Sequence, residues 1–409
     1  MLNAIWIGFF LTGIVVALGQ FFLGDNGAAL NAIADSTFEM SKLSAEIGFG
    51  LVGILSLWMG FFKIAETSGI IQKLGYLLEP LFTRLMPEVP KGHPALGSIT
   101  MNMAANMLGL DNAATPMGLK AMADLQTLNP SSNTASNAQI LFLVLNTSSV
   151  TLIPITIFMY RAQLGAANPA DVFIPILLAT LASTFAGLTA VAWVQKLPLF
   201  NRVVLGYLGF LVVCVTGLIY WLSAFNGDEL AIVSKLIASA VLVGVIAVFL
   251  LAALKRKLDA YSLFVEGAKE GFFTSIKLIP YLVAMLVAIG VLRASGALDL
   301  VVGGLKASIS SLGLDTLFVD ALPVAFMKPL SGSGARAMMI EVMNTHGVDS
   351  FLGRLASVMQ GSTETTFYVL AVYFGSVGIS RIRHALWCGL LADAVGIITA
   401  VFVSYWFFS

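Results

Sequence analysis

Charged residues are scarce in this chain. Asp, Glu, Lys and Arg make up 11% of its 409 residues, while 58% are hydrophobic; an ordinary soluble domain carries about 25% charged residues. This balance excludes a soluble globular enzyme and predicts an all-α polytopic membrane protein whose first partner is the lipid bilayer. Because 22 basic residues offset 22 acidic ones, there is no surplus of positive charge to attract nucleic acid.

Cysteine and histidine are also rare, with two and three copies. Cys214 and Cys388 both lie in apolar runs, where a thiol is usually a small packing group, and no His/Cys spacing is typical of a metal site. The sequence contains no His-Glu-x-x-His or Gly-x-Ser-x-Gly pattern. We therefore expect no disulfide, no metal, no cofactor and no enzymatic activity.

Long apolar runs fill the chain from end to end. No Lys or Arg precedes the first one, which predicts a retained membrane helix rather than a cleaved signal. At 1.5 Å per residue, nine runs are long enough to cross the hydrocarbon core. They are 3–23, 47–66, 138–160, 171–195, 203–225, 230–254, 273–293, 351–376 and 385–408. The regions after the second and the seventh are apolar but interrupted by Gly, Pro, Asn and Ser, so no simple span fits them.

Basic residues indicate the orientation, because short cytoplasmic loops collect Lys and Arg. Lys196 with Arg202, the run 255–257, and Arg381 with Arg383 all fall between predicted crossings. Nine crossings satisfy these positions with a cytoplasmic N-terminus.

The two ends of the chain carry an internal repeat, which is the pattern to seek first in a fold assignment. The matched segments are 39–42 with 266–269 and 64–69 with 291–296, both at an offset of 227, then 146–149 with 360–363 and 177–180 with 390–393. Chance similarity between two halves rich in Leu, Ala and Gly is the alternative, but the polar and glycine positions keep their order. With the orientation above, the copies have opposite topology, as in many transporters.

The first copy carries a polar interruption between its second and third crossings. Asn102 and Asn106 are four residues apart and share a helix face. Asp111, Asn112 and Thr115 precede Pro116, which favours a helix start. Two half-helices meeting at this tip would present backbone N–H groups to an anionic or polar solute group.

The second copy has a matching Ser-Gly-Ser-Gly segment at 331–334, followed by Arg336. Glu364 lies near the middle of the predicted 351–376 crossing, where a carboxylate is costly unless it is paired, solvated or protonated. We therefore rank Glu364 first among the site residues. A structural ion pair between Glu364 and Arg336 is the alternative.

The candidate solute- or ion-binding residues are the polar side chains of these interruptions. They are Asn102, Asn106, Asp111, Asn112, Thr115, Asn146, Ser148, Ser331, Ser333, Arg336, Gln360, Ser362, Thr363 and Glu364.

These segments resemble known families. The stretch from Asn102 to Lys120 is similar to the signature of spore maturation protein A, and 329–341 with 357–368 is similar to that of spore maturation protein B. The resemblance implies a fusion: a protein A-like repeat at 1–195, two linking helices within 196–259, and an inverted protein B-like repeat at 260–409. It also implies the gate domain shared with concentrative nucleoside transporters and ferrous-iron transporter B, in a bacterial inner (plasma) membrane.

Two functions follow as hypotheses. The first is a secondary transporter that moves a small polar solute by alternating access where the two repeats meet, coupled to Na⁺ or H⁺ and compatible with a homo-oligomer. The second is a non-transporting scaffold of envelope or spore maturation, in which the polar residues serve only helix packing.

Overall fold

The computed structural model describes residues 2–24, 28–107, 111–148, 150–197, 199–222, 224–225, 227–313 and 315–408. The fold is all-α, with 81% of the chain helical and no strand in these ranges. The broad fold class expected from the composition is therefore confirmed.

The helices follow one another with short connections. The first part contains α1 (Leu2–Gly24), α2 (Ala28–Thr67), α3 (Ile70–Leu85), α4 (Pro94–Met107), α5 (Asp111–Gln126), α6 (Asn137–Thr147), α7 (Ile155–Gln163) and α8 (Phe173–Gln195). The linking helices are α9 (Arg202–Leu222) and α10 (Gly227–Lys255). The last part contains α11 (Ala260–Ala294), α12 (Ala297–Ser311), a 3-10 helix (Leu317–Ala321), α13 (Leu322–Met327), α14 (Gly332–His346), α15 (Phe351–Gly361), α16 (Thr366–Ser376) and α17 (Ala385–Phe408).

Four of the described helices are long and apolar enough to cross a bilayer, namely α2, α8, α9 and α17. A fifth span results if the end of α11 and α12, bent by 68°, are counted as one. Several of the nine predicted crossings fall on shorter apolar helices, so their number stays a prediction. The several apolar helices are what a membrane protein requires.

Two predicted crossings are broken in the middle. The 138–160 crossing is divided into α6 and α7 by residues 148–154, and the 351–376 crossing into α15 and α16 by residues 362–365. Pro154 lies directly before α7, where its missing N–H costs no helical hydrogen bond. The two breaks touch, because the Glu364 backbone N–H donates to the Thr147 carbonyl at 2.7 Å. Each interruption thus lies against the other.

Helices α2 and α11 pack along each other in opposite directions. The Ser275 hydroxyl donates to the Gly48 carbonyl at 2.7 Å, and the Lys63 ammonium pairs with Glu266 at 2.9 Å. Residue numbers therefore increase along α2 in the direction in which they decrease along α11. Glycine permits the close approach. A Cβ added at Gly271 would lie 2.6 Å from the Leu55 carbonyl oxygen.

Helices α8 and α17 form a second antiparallel pair. The Ser183 hydroxyl donates to the Ala392 carbonyl at 2.9 Å. An added Cβ at Gly396 would lie 3.0 Å from the Ser183 Cβ, and one at Gly187 would lie 3.3 Å from the Ala392 Cβ. These small residues bring the two backbones together.

Two glycine turns have the same role in the two halves. Gly69 precedes α3 with φ of 77°, and Gly296 precedes α12 with φ of 75°. Glycine adopts this left-handed conformation without steric cost, which explains why the sequence repeats a glycine at both positions.

A buried ion cluster joins the two halves. Arg161 of α7 is fully buried, and its guanidinium contacts Asp171 at 2.9 Å, Asp349 at 3.2 Å and the Val348 carbonyl at 2.9 Å. Arg354 of α15 pairs with the other oxygen of Asp171 at 2.7 Å. We call Arg161, Asp171, Asp349 and Arg354 the ion cluster. The sequence reading did not anticipate it.

Candidate functional site

The helix breaks surround a polar cavity of about 90 Å³. It collects five of the predicted site residues, Asn106, Arg336, Gln360, Thr363 and Glu364, together with Lys328. The cavity therefore lies where the two halves of the chain meet.

An asparagine cluster stands behind one wall. The Asn102 side chain donates to the Ala114 carbonyl at 2.7 Å and accepts from the Asn146 amide at 2.5 Å. The Asn106 amide in turn donates to the Asn146 side-chain oxygen at 3.0 Å. Asn102 is fully buried, so these bonds join α4, α5 and α6 away from water. The predicted shared face of Asn102 and Asn106 serves helix contacts, and only Asn106 reaches the cavity.

We expect Asn102→Ala to lower the free energy of unfolding by about 1–2 kcal/mol, because the Ala114 carbonyl and the Asn146 amide lose a buried partner. Thermal unfolding of the detergent-purified protein measures this effect. Asn344→Ala, which makes the same change at an exposed position of α14, is the control. Equal melting temperatures for both variants would contradict the assigned role.

Four predicted serines use their hydroxyl groups locally. Ser148 donates to the Val144 carbonyl at 2.9 Å and Ser362 to the Met359 carbonyl at 2.8 Å, both within their own helix ends. Ser331 caps α14 by accepting from the Gly334 N–H at 3.1 Å, and Ser333 lies 3.3 Å from the Ser331 hydroxyl. These serines shape the breaks, and none of them is a cavity-lining residue.

In the part that the structure describes, the predicted tip of the first copy does not line the cavity. Helix α5 begins at Asp111, as the Pro116 pattern predicts within a few residues, but the side chains of Asp111 and Asn112 lie outside the described part of the chain. Thr115 hydrogen-bonds to the Tyr373 hydroxyl of α16. The described part of this tip contacts another helix.

Glu364 lines the cavity and is not packed inside the protein. Its side chain is exposed because α15 ends at Gly361 and α16 begins at Thr366, which leaves Glu364 in the connecting turn. The guanidinium of Arg336 lies over the Tyr160 ring at 5.5 Å.

Two functional candidates were underestimated by sequence reasoning. Lys328 is 4% exposed and lines the cavity. The sequence feature that could have identified Lys328 as a candidate is its position directly before Pro329 in an apolar region. Asp393 of α17 is 1% exposed and accepts from the Thr366 hydroxyl of α16 at 2.7 Å. Within the described residues, no group of three or more His, Cys, Asp and Glu side chains is placed to hold a metal ion.

Comparisons with known proteins match both halves of the chain. The family model described as "Gate: Nucleoside recognition" matches residues 49–163 and 275–380. Spore maturation protein B of Bacillus subtilis (strain 168) is 45% identical over 186 residues, covering 46% of this chain and 94% of that protein. Spore maturation protein A of the same organism is 39% identical over 183 residues, covering 45% of this chain and 90% of that protein. The two matches cover different halves. No solved structure matches the chain significantly.

Proposed function

Because the chain belongs to the Gate nucleoside-recognition family and unites a spore maturation protein A half with a protein B half, we propose that it is a secondary transporter of a small polar solute. The single observation that carries the proposal is the polar cavity between two broken helices, one from each half. Broken helices that meet at a solute site are a recurring feature of transporters. The site works without catalysis, and Na⁺ or H⁺ would be the coupling ion.

We further propose that the two halves are inverted repeats with nine crossings in total. In support, the elements recur in the same order, from α2 and α11 through the glycine turns to α8 and α17. The corresponding helices α2 and α11 run antiparallel, and so do α8 and α17, as inversion requires. The linking helices α9 and α10 return the chain to its starting side. A cytoplasmic N-terminus in a bacterial inner membrane completes the proposed topology.

Flux into proteoliposomes tests the transport proposal. The purified full-length chain is reconstituted, and uptake is measured for nucleosides, amino acids, dipeptides and organic acids with and without Na⁺ or pH gradients. We expect protein-dependent uptake of at least one class. If no class shows flux, transport is rejected.

Glu364→Gln is expected to reduce the flux of the transported solute by about tenfold or more, since removing a charged partner from a solute site typically costs about 1.5–3 kcal/mol. Glu88→Gln is the matched control, because Glu88 is exposed and its contact with Asn137 can be kept by glutamine. Initial rates at equal protein content measure the effect. Equal rates for the two variants would remove Glu364 from the site.

A scaffold role is the second candidate. It is favoured by the asparagine cluster, in which buried polar groups satisfy one another across α4, α5 and α6 and need no solute. A scaffold predicts that cavity variants lose function only when protein abundance falls. Full abundance with lost function would reject it.

A further inference from the structure

The charged side chains at the cavity balance one another. Lys328 and Arg336 both line it, and Glu364 is the carboxylate among the lining residues. Asp393 lies behind the wall, bonded to Thr366. With all four side chains ionised, their net charge is zero. Any further positive potential in the cavity therefore acts on a bound solute.

Three helix starts supply that potential. The first residues of three helices line the cavity. They are Pro154 and Ile155 at the start of α7, Gly332 at the start of α14, and Thr365, the N-cap of α16. Each helix N-terminus carries about half a positive charge, which stabilises an anion placed against its first turn. Three such ends from both halves of the chain converge on one small space.

Gln360 gives an independent sign of a ligand. Its side chain is 5% exposed and lines the cavity, yet its amide oxygen has no hydrogen-bond partner. Buried polar atoms are normally paired with protein, water or ligand. The amide oxygen of Gln360 and the carboxylate of Glu364 are acceptors, so they fit a solute that also carries an N–H or O–H donor.

The size of the cavity limits the solute. Typical sites for drug-sized ligands measure about 300–1,000 Å³, whereas this one measures about 90 Å³. It has room for a few waters or a solute of similar bulk. A nucleoside would require the walls to move apart.

We infer that the cavity binds the carboxylate of a small amino acid or hydroxy acid. The carboxylate lies toward Lys328, Arg336 and the three helix starts, and the amino or hydroxyl donor lies toward Gln360 and Glu364. This inference rests on the proposed function and adds to it the chemical class of the solute.

Binding to the full-length chain in lipid nanodiscs tests the inference. Radiolabelled glycine is the probe, with unlabelled lactate, acetate, uridine and ethanolamine as competitors. We expect saturable glycine binding that lactate displaces, that acetate displaces less well because it lacks the donor, and that uridine and ethanolamine leave unchanged. Displacement by uridine or ethanolamine, or no glycine binding, would overturn the inference.

Variants locate the carboxylate site. Arg336→Gln is expected to weaken glycine binding by about tenfold or more, because a charge-assisted hydrogen bond is lost, while Arg336→Lys retains a cation and restores much of the affinity. Lys91→Gln removes the same charge from an exposed loop and serves as the control. Melting temperatures show whether each variant is folded. A folded Arg336→Gln variant that binds glycine as tightly as the control would place the solute elsewhere.

The outcomes separate this inference from the transport proposal. Glycine binding without flux of any solute supports the carboxylate site and rejects transport. Uridine flux without glycine binding supports transport and rejects the carboxylate site.

Discussion

Arg161→Met is expected to lower the free energy of unfolding by about 2–3 kcal/mol, because the charge-assisted hydrogen bonds of the guanidinium are lost and Asp349 keeps only the Ala167 N–H as a partner. Arg161 is fully buried and contacts Asp171, Asp349 and the Val348 carbonyl. Methionine fills a similar length but donates no hydrogen bond. The Asp171 carboxylate would keep Arg354, whereas Asp349 would lose its guanidinium partner.

Equilibrium unfolding in mixed detergent micelles measures this loss. Arg381→Met is the control, because it makes the same chemical change at an exposed position. Adding Asp349→Asn to Arg161→Met should recover part of the stability, because the unpaired carboxylate is removed. If the single variant is as stable as the control, the ion cluster does not hold the halves together.

The second large effect is expected at the contact of α2 with α11. Replacing both Gly267 and Gly271 with valine should destabilise the protein by about 3 kcal/mol or more, because overpacking a tight contact costs about 1–3 kcal/mol at each site. An added Cβ at Gly271 meets the Leu55 carbonyl oxygen at 2.6 Å, and one at Gly267 meets the Met59 carbonyl oxygen. Backbone atoms cannot turn aside, so the helices must separate.

Helix α12 provides a matched control. Gly303 and Gly304 have no atom within 4 Å of an added Cβ, so valine at both positions changes the helix propensity but not the packing. Folded yield and thermal unfolding compare the two pairs. Similar stability for both double variants would show that the glycines of α11 are not needed for close approach.

The sequence predicts features that depend on neighbours along the chain. Repeated glycines at 69 and 296 correspond to two turns with positive φ, and polar residues at 146–149 and 360–363 correspond to two helix breaks. These signals are local, because backbone conformation and hydropathy follow from residues a few positions apart.

Features that depend on distant partners could not be predicted in this way. Arg161 is joined to Asp349, far along the chain, and no periodicity links them. Lys328 resembles a loop lysine in the sequence, but the fold buries it in the wall of the cavity. The exposure of Glu364 depends on how the turn between α15 and α16 packs against the rest of the chain, which no local pattern gives.

The hydrogen bond from the Glu364 N–H to the Thr147 carbonyl bears on how the two halves meet. In a membrane interior each unpaired backbone group is costly, so the break in one half is completed by the break in the other. The covalent connection through α9 and α10 fixes a one-to-one ratio of the two breaks and makes their encounter intramolecular. Two separate chains with the same breaks would depend on matched synthesis and on diffusion in the bilayer to find each other.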